Sequence, residues 1–210
     1  METTVREMMK TTQELITESL PKAMSYMAYR ILVAQLAKDG KSTGLEQTAA
    51  LANYTQLNDR RMKRWDKTLK FDAYATEAIK KIDRKINWLV LTESWCGDAS
   101  PALPVMHKIT ELNSNIGLKV LLRDENSELM KRFLTNGSMS IPKLIALDDT
   151  AGEVIGAWGP RSKAATALVE AHKKQHGQLL PEFKEDLQVW YNKDKGQSVL
   201  NDLLSGLLLK

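Results

Sequence analysis

Apolar positions along the chain fall into two patterns that meet near residue 95. Residues 87–91 (Asn-Trp-Leu-Val-Leu) form a short apolar run without a breaker, which predicts a buried strand. The apolar residues that follow recur at roughly helical spacing, with a proline near the first turn, which predicts a helix. These residues are Pro101, Leu103, Val105, Met106, Ile109 and Leu112. A strand is therefore expected to pass directly into a helix at this point.

Towards the C-terminus the pattern alternates between strands and helices. The predicted elements are strands at 118–123, 143–147 and 153–158 and helices at 127–134 and 162–177. A strand–helix–strand order followed by a hairpin and a helix predicts an α/β fold, a mixed sheet sandwiched by helices. We expect this core over residues 86–176, with helical extensions at 1–85 and 177–210.

The N-terminal extension is predicted to be helical throughout. Residues 5–38 indicate two helical pieces, and Thr43 with Glu46 fits a capping box for a helix that runs to about Leu69. A further helix is expected over 72–85. The extension is expected to pack on the core rather than to form an independent domain.

Two helices are predicted in the C-terminal extension. The first carries its large apolar side chains on one side, at Phe183, Leu187, Trp190 and Tyr191. The second has an apolar stripe at Val199, Leu200, Leu203, Leu204, Leu207 and Leu208. Such a stripe covers either the core or a second subunit, and we favour the core.

Composition argues against several functional classes. With 43% hydrophobic and 27% charged residues, the chain is typical of a globular protein rather than a disordered one. A net charge of +4 is too small to indicate a nucleic-acid partner, and the basic residues between Arg60 and Lys67 are interpreted as a solvated helix face. No apolar run approaches the ~20 residues that span a bilayer, and no secretory signal is recognised at the N-terminus. We therefore expect no membrane partner and a cytoplasmic location, which a single cysteine also favours.

The one cysteine, Cys96, lies at the junction of the predicted strand and helix. Free N–H groups at a helix start favour an anion, so the pKa of this thiol is expected below its usual value. Asp98 acts in the opposite direction, because a carboxylate in the same turn disfavours a second negative charge. Alternatively, Asp98 caps the helix and leaves the pKa of the thiol little changed.

The tripeptide Trp-Cys-Gly at 95–97, placed after a strand, resembles the active-site segment Trp-Cys-Gly-Pro-Cys of the thioredoxin family. A second segment, 137–147, resembles the part of that family in which a cis-proline, here Pro142, opens a central strand and faces the cysteine. Residues 152–158 are similar to the hairpin strand that follows. The resemblance covers about residues 86–176 and implies a thioredoxin-like fold.

The resemblance also implies a binding surface around Cys96, which would be the reactive residue. Trp95, with Gly97 and Asp98 beside it, would form an exposed aromatic lip on one side. On the other side, before Pro142, the backbone of Ile141 would pair with an incoming peptide by strand addition.

Departures from the family's pattern bear on the chemistry. Ala99 stands at the position of the second cysteine, and Asp98 at that of the proline between the two cysteines. The chain therefore has no second thiol with which to resolve a mixed disulfide. Val90 stands where the resemblance implies a buried aspartate that assists proton transfer.

No cofactor or metal site is predicted. His172 and His176 are four residues apart on a predicted helix, a spacing compatible with metal ligands. They lack a cysteine or acidic partner at a metal-binding spacing, and His107 is distant in sequence. The chain also lacks a glycine-rich phosphate loop.

Three functions are compatible with these sequence features. In the first and principal one, Cys96 alone carries out thiol–disulfide exchange with a protein or small-molecule partner, and an external thiol resolves the mixed disulfide. In the alternative, the fold is a non-catalytic module that binds a peptide or partner between Trp95 and Pro142. In the third, two chains of a homodimer share an iron–sulfur cluster through their Cys96 residues.

Overall fold

The computed structural model describes residues 10–149 and 152–209, and within these ranges the chain forms a mixed sheet on which helices pack. The predicted α/β fold with a mixed sheet and extra helices is confirmed. Five strands lie in the order β1-β3-β2-β4-β5 within the described residues. They are β1 (Met24–Ser25), β2 (Ile86–Thr92), β3 (Ile116–Leu122), β4 (Lys143–Asp148) and β5 (Val154–Trp158).

Helices precede, separate and follow these strands. Those of the N-terminal extension are α1 (Thr12–Ser19), α2 (Tyr26–Lys38), α3 (Ala49–Thr68) and α4 (Ala73–Lys80). The others are α5 (Ala99–Leu112), α6 (Ser127–Met130), α7 (Lys163–His176), α8 (Pro181–Asp194) and α9 (Gln197–Leu203), which continues as a π-helical turn over Leu204–Leu208. Short 3₁₀ turns lie at Leu20–Lys22, Asp124–Asn126 and Lys131–Phe133.

The register of the central strands brings the two sequence segments of interest together. β2 pairs in parallel with β3 and antiparallel with β4, and Leu91 near the end of β2 lies opposite Lys143 at the start of β4. Because the two strands run in opposite directions, the turn that leaves β2 lies beside the loop that enters β4. Cys96 is in the first of these segments and Pro142 in the second.

One part of the N-terminal prediction is wrong. Met24 and Ser25 form an edge strand, antiparallel to β3, in a segment that was expected to be helical. A strand of two residues is too short to produce an alternating pattern, so sequence periodicity does not detect it. The expected helical residues 5–9 lie outside the described residues.

The predicted capping box is also wrong. Helix α3 begins at Ala49, where the side chain of Thr48 accepts a hydrogen bond from the Leu51 N–H. Thr43 is instead buried, and its N–H donates to the hydroxyl of Ser94 over 2.9 Å. Both threonines are of a type favoured at the N-cap, and the buried contact of Thr43 with Ser94 leaves Thr48 as the cap.

Two other helices are shorter than predicted. The helix expected over 72–85 ends at Lys80, and that expected over 127–134 ends at Met130 and continues as a 3₁₀ turn. The basic face of α3 is solvated as interpreted, with Trp65 buried beneath it.

The C-terminal stripe covers the core of its own chain, as favoured from sequence. All six of its side chains are buried, and Leu200 and Leu203 are completely so. Apolar residues of the N-terminal extension, such as Tyr29 and Val33, belong to the same core. Among the residues that the structure describes, no helix is long and apolar enough to cross a membrane.

Candidate functional site

Cys96 lies in the tight turn between β2 and α5. The Cys96 N–H donates to the Glu93 carbonyl over 3.1 Å, and the Ala99 N–H donates to the Cys96 carbonyl over 3.2 Å. The buried strand β2 ends at Thr92, and helix α5 starts at Ala99. The turn is thus anchored on both sides by buried elements.

The thiol of Cys96 is shielded and protonated. Cys96 is 7% exposed, and its Sγ donates to the carbonyl oxygen of Ile141 over 3.3 Å. Burial raises the pKa of Cys96 to about 12, with a further contribution from the nearby Asp98 carboxylate. The expected lowering of the pKa of Cys96 by the helix start is therefore wrong in direction, since backbone hydrogen bonds and Arg161 only partly offset burial. The predicted effect of Asp98 on the thiol is confirmed.

Asp98 makes tertiary contacts instead of capping α5. It occupies the N-cap position, but its side chain accepts no hydrogen bond from the helix, so the capping alternative is wrong. One carboxylate oxygen lies 2.6 Å from Nη2 of Arg161, and the other accepts a hydrogen bond from the Tyr191 hydroxyl over 2.9 Å. Burial raises the pKa of Asp98, and the Arg161 cation and the Tyr191 hydroxyl oppose that change.

Helix α8 lies against the cysteine turn. In addition to the contact of Tyr191 with Asp98, Nε2 of Gln188 donates to the carbonyl of Gly97 over 3.2 Å. Arg161, Gln188 and Tyr191 belong to no motif that indicates a part in the site. They are distant in sequence from Cys96, and no local pattern signals their contacts.

Trp95 is half-buried, and its ring packs against the core. The guanidinium carbon of Arg123 lies 5.0 Å from the ring centroid, a cation–π contact. Arg123 also reaches the carbonyl of Met139 over 3.5 Å, and Met139 is 40% exposed. Trp95, Arg123 and Met139 are therefore connected through Arg123 at the border of the site.

The Ile141–Pro142 peptide bond is cis, and so is the Gly159–Pro160 bond, for which no cis isomer was predicted. Ile141 is 7% exposed. Among the described residues its N–H has no hydrogen-bond partner, and its carbonyl accepts only from the Cys96 thiol. This stretch precedes β4 and leaves backbone groups unpaired beside Cys96.

A buried polar network holds the turn from the other side. The hydroxyl of Thr43 donates to Glu93, the Ser94 N–H donates to that hydroxyl oxygen over 2.8 Å, and Nδ2 of Asn58 donates to the Ser94 carbonyl over 2.9 Å. Glu93 also accepts from the Asp124 N–H over 2.9 Å. This role of Glu93 was not predicted, although a charged residue directly after a buried strand is a detectable signal in the sequence.

Glu93 should make the stability of the protein pH-dependent. It is fully buried, and burial raises the pKa of its carboxyl group. A raised pKa means that Glu93 contributes stability below its unfolded value of 4.5, and that this contribution is lost as the pH rises through the folded pKa. Urea unfolding from pH 4.5 to neutrality should therefore show a smaller decline in the free energy of unfolding for Glu93→Gln than for the unchanged protein. Parallel pH profiles for the two proteins would contradict this assignment.

The other residues considered for chemistry lie elsewhere. Val90 is buried in β2 and brings no proton carrier to the site. His107 stacks on Tyr26 with ring centroids 4.3 Å apart, and His172 stacks on Phe183. Within the described ranges, no three His, Cys, Asp or Glu residues are grouped so that they could hold a metal ion.

Comparison with known proteins gives one family and several similar folds. A family model described as thioredoxin matches residues 44–174, more than half of the chain. A 1.5 Å crystal structure of a protein of unknown function from Pseudomonas aeruginosa is similar, with 20% identity and a TM-score of 0.54 over 87% of this chain and 96% of that one. An HIV epitope-scaffold is similar over the same shares, with 20% identity and a TM-score of 0.52. At this identity the likeness to both structures concerns the fold alone. No curated protein matches the chain.

Proposed function

Because the chain belongs to the thioredoxin family, we propose that it uses the fold as a binding module for an extended peptide segment, held between Trp95 and the Ile141–Pro142 loop. The observation that carries this proposal is the unpaired backbone of Ile141. Its N–H has no partner among the described residues, and its carbonyl oxygen has only a weak thiol donor. A peptide that pairs with this backbone satisfies both groups.

The state of Cys96 favours binding over catalysis. At a pKa of about 12 the thiol is almost entirely protonated at neutral pH, and the nucleophile in disulfide exchange is the thiolate. Cys96 is also 7% exposed, and the chain has no second cysteine. A module that binds a peptide needs neither a thiolate nor a resolving thiol.

The border of the groove supplies contacts for peptide side chains. Trp95 offers an aromatic face, and Met139 is an exposed, adaptable apolar side chain. Arg123 adds a positive charge over the ring of Trp95, although Asp124 pairs with that charge at 2.6 Å. An extended segment with apolar side chains fits this border better than a highly charged one.

A displayed library of random peptides tests the proposal. Peptides enriched on the unchanged protein should bind Trp95→Ala at least about tenfold more weakly, because an aromatic anchor is lost. Their affinity for Cys96→Ser should be unchanged. Trp190→Ala, which truncates another half-buried tryptophan, is the matched control and should retain affinity. Failure to enrich any peptide, or equal binding to Trp95→Ala and the unchanged protein, would refute the module.

Thiol–disulfide exchange is the second candidate, and one observation favours it. The Sγ of Cys96 lies 3.3 Å from the Ile141 carbonyl, so a peptide paired with Ile141 passes close to the thiol. In the reaction, the Cys96 thiolate attacks a substrate disulfide, forms a mixed disulfide and releases one substrate thiolate. An external low-molecular-weight thiol then attacks the mixed disulfide and frees Cys96. In the peptide experiment, this candidate predicts that disulfide-containing peptides are captured by the unchanged protein and not by Cys96→Ser. It also predicts that the external low-molecular-weight thiol releases the captured peptides.

A further inference from the structure

Lys143 is a buried lysine that forms no ion pair with a carboxylate of the described residues. The residue is 7% exposed, and its Nζ donates to the hydroxyl oxygen of Thr135 over 2.6 Å and to the carbonyl of Gly159 over 3.2 Å. An ammonium group has three N–H donors, so one donor has no acceptor among the described residues. Burial lowers the pKa of Lys143. Buried charges are normally paired with an opposite charge. Within residues 10–149 and 152–209, Lys143 has no such partner.

A cavity of about 540 Å³ lies beside this lysine. Its lining includes Lys143, Gly159, Arg161, Lys163 and Thr166. Arg161 is a second residue with an unused donor, since its buried Nε–H has no hydrogen-bond partner. Two cationic side chains that line one cavity therefore each retain an unsatisfied N–H.

The acidic residues of the cavity do not neutralise Lys143. Asp202 accepts hydrogen bonds from the indole N–H of Trp158 over 3.3 Å and from the backbone N–H of Lys163 over 2.8 Å. Glu170 is exposed to solvent on α7. Neither carboxylate forms an ion pair with Lys143 within 4.0 Å. The positive charge of Lys143 therefore lines a cavity in which the Asp202 carboxylate accepts hydrogen bonds from Trp158 and Lys163 and the Glu170 side chain is exposed.

We propose that this cavity binds an oxyanion, the carboxylate or phosphate group of a small molecule, and that Lys143 is its main charged contact. Arg161 contributes less, because its guanidinium already pairs with Asp98 at 2.6 Å. The bound oxyanion accepts the third N–H of Lys143 and supplies the missing negative charge. The lining of this cavity includes none of Trp95, Ile141 and Pro142, and the proposal does not depend on the peptide-binding function.

Amide chemical shifts of the unchanged protein provide the first test. We would titrate with inorganic phosphate and, separately, with succinate, using sodium chloride at matched ionic strength as the control. Saturable shifts are expected at the amides of Thr135, Lys143 and Gly159 with at least one of the two anions. The anion that binds with the lower dissociation constant identifies the oxyanion as a phosphate or a carboxylate. The absence of saturable shifts with both anions, or equal shifts with chloride, would overturn the proposal.

A charge-removing variant gives the second test. Lys143→Met keeps a long side chain without the charge, and should weaken binding of the active anion by about tenfold or more, as expected for a lost charged hydrogen bond. Lys184→Met removes an exposed lysine of α8 and should leave the affinity unchanged. Equal affinity in Lys143→Met and the unchanged protein would overturn the proposal. If Lys143→Met does not fold, the amide shifts of the unchanged protein decide the question alone.

Discussion

Replacing Asp98 with alanine is expected to destabilise the protein by about 3–5 kcal/mol, the cost typical of removing one partner of a buried ion pair. The side chains of Asp98 and Arg161 are only 13% and 21% exposed, and their charged atoms lie 2.6 Å apart. Without the carboxylate, the Arg161 guanidinium stays buried without a counter-charge, and the Tyr191 hydroxyl loses its acceptor. Urea unfolding of the two proteins measures the loss.

The same variant should make Cys96 more reactive. The Asp98 carboxylate contributes to the pKa of about 12, so its removal, which also leaves the Arg161 cation unpaired, lowers the pKa of the thiol. The rate of iodoacetamide alkylation, followed against pH, should therefore rise at a lower pH in Asp98→Ala. An unchanged midpoint would mean that burial alone sets the pKa of Cys96.

Two further variants distinguish the loss of the Asp98–Arg161 ion pair from other effects of a substitution on stability. Asp186→Ala removes an exposed carboxylate of α8 and should change the free energy of unfolding by about 0.5 kcal/mol or less. The double variant Asp98→Leu/Arg161→Met replaces both charges with apolar groups and should recover much of the stability that Asp98→Ala loses. A double variant as unstable as Asp98→Ala would show that the loss does not come from the unpaired guanidinium.

A chain that ends at Gly177 is expected not to fold. Helices α8 and α9 and the π-helical turn bury apolar side chains that cover the core. Each such side chain contributes about 1.5–3 kcal/mol when buried, against a total stability of about 5–15 kcal/mol for a typical domain. These side chains are Leu187, Tyr191, Val199, Leu200, Leu203, Leu204, Leu207 and Leu208.

Two point variants test whether buried side chains of the C-terminal segment stabilise the protein. Leu200 is fully buried, and Leu200→Ala should cost about 2–5 kcal/mol. Leu209 is 57% exposed, and Leu209→Ala should cost about 0.5 kcal/mol or less. Cooperative unfolding of the truncated chain, or equal effects of the two leucine variants, would show that the C-terminal segment is not part of the core.

Long periodic segments were predictable from the sequence. The apolar run of β2 and the helical spacing of α5 are local patterns produced by burial of one strand and one helix face. The stripe at the C-terminus is similar, because an amphipathic helix must cover an apolar surface. The two-residue strand β1 and the true cap Thr48 were not predictable, since the first is too short for a period and the second has a competitor in Thr43.

The ionisation state of the candidate site depends on residues that no local pattern links to it. A thiol at a helix start is expected to have a lowered pKa, but the pKa of a buried thiol rises because the thiolate loses its hydration. The burial of Cys96 and its contact with Ile141 arise from the pairing of β2 with β4. Contacts of Asp98 with Arg161 and Tyr191 come from segments that are adjacent only after folding.

The sequence by itself therefore determined the order of the strands and helices from β2 to α7, because burial imposes periods that local residues must follow. The thioredoxin-like architecture and the importance of Trp95, Cys96 and Pro142 came from the resemblance of two short segments to that family. The tertiary structure alone decided which charges form ion pairs, how far the thiol is buried, and that Lys143 has no ion-pair partner within the described ranges. Those properties depend on distances between remote segments and on exclusion of solvent, and a linear pattern specifies neither.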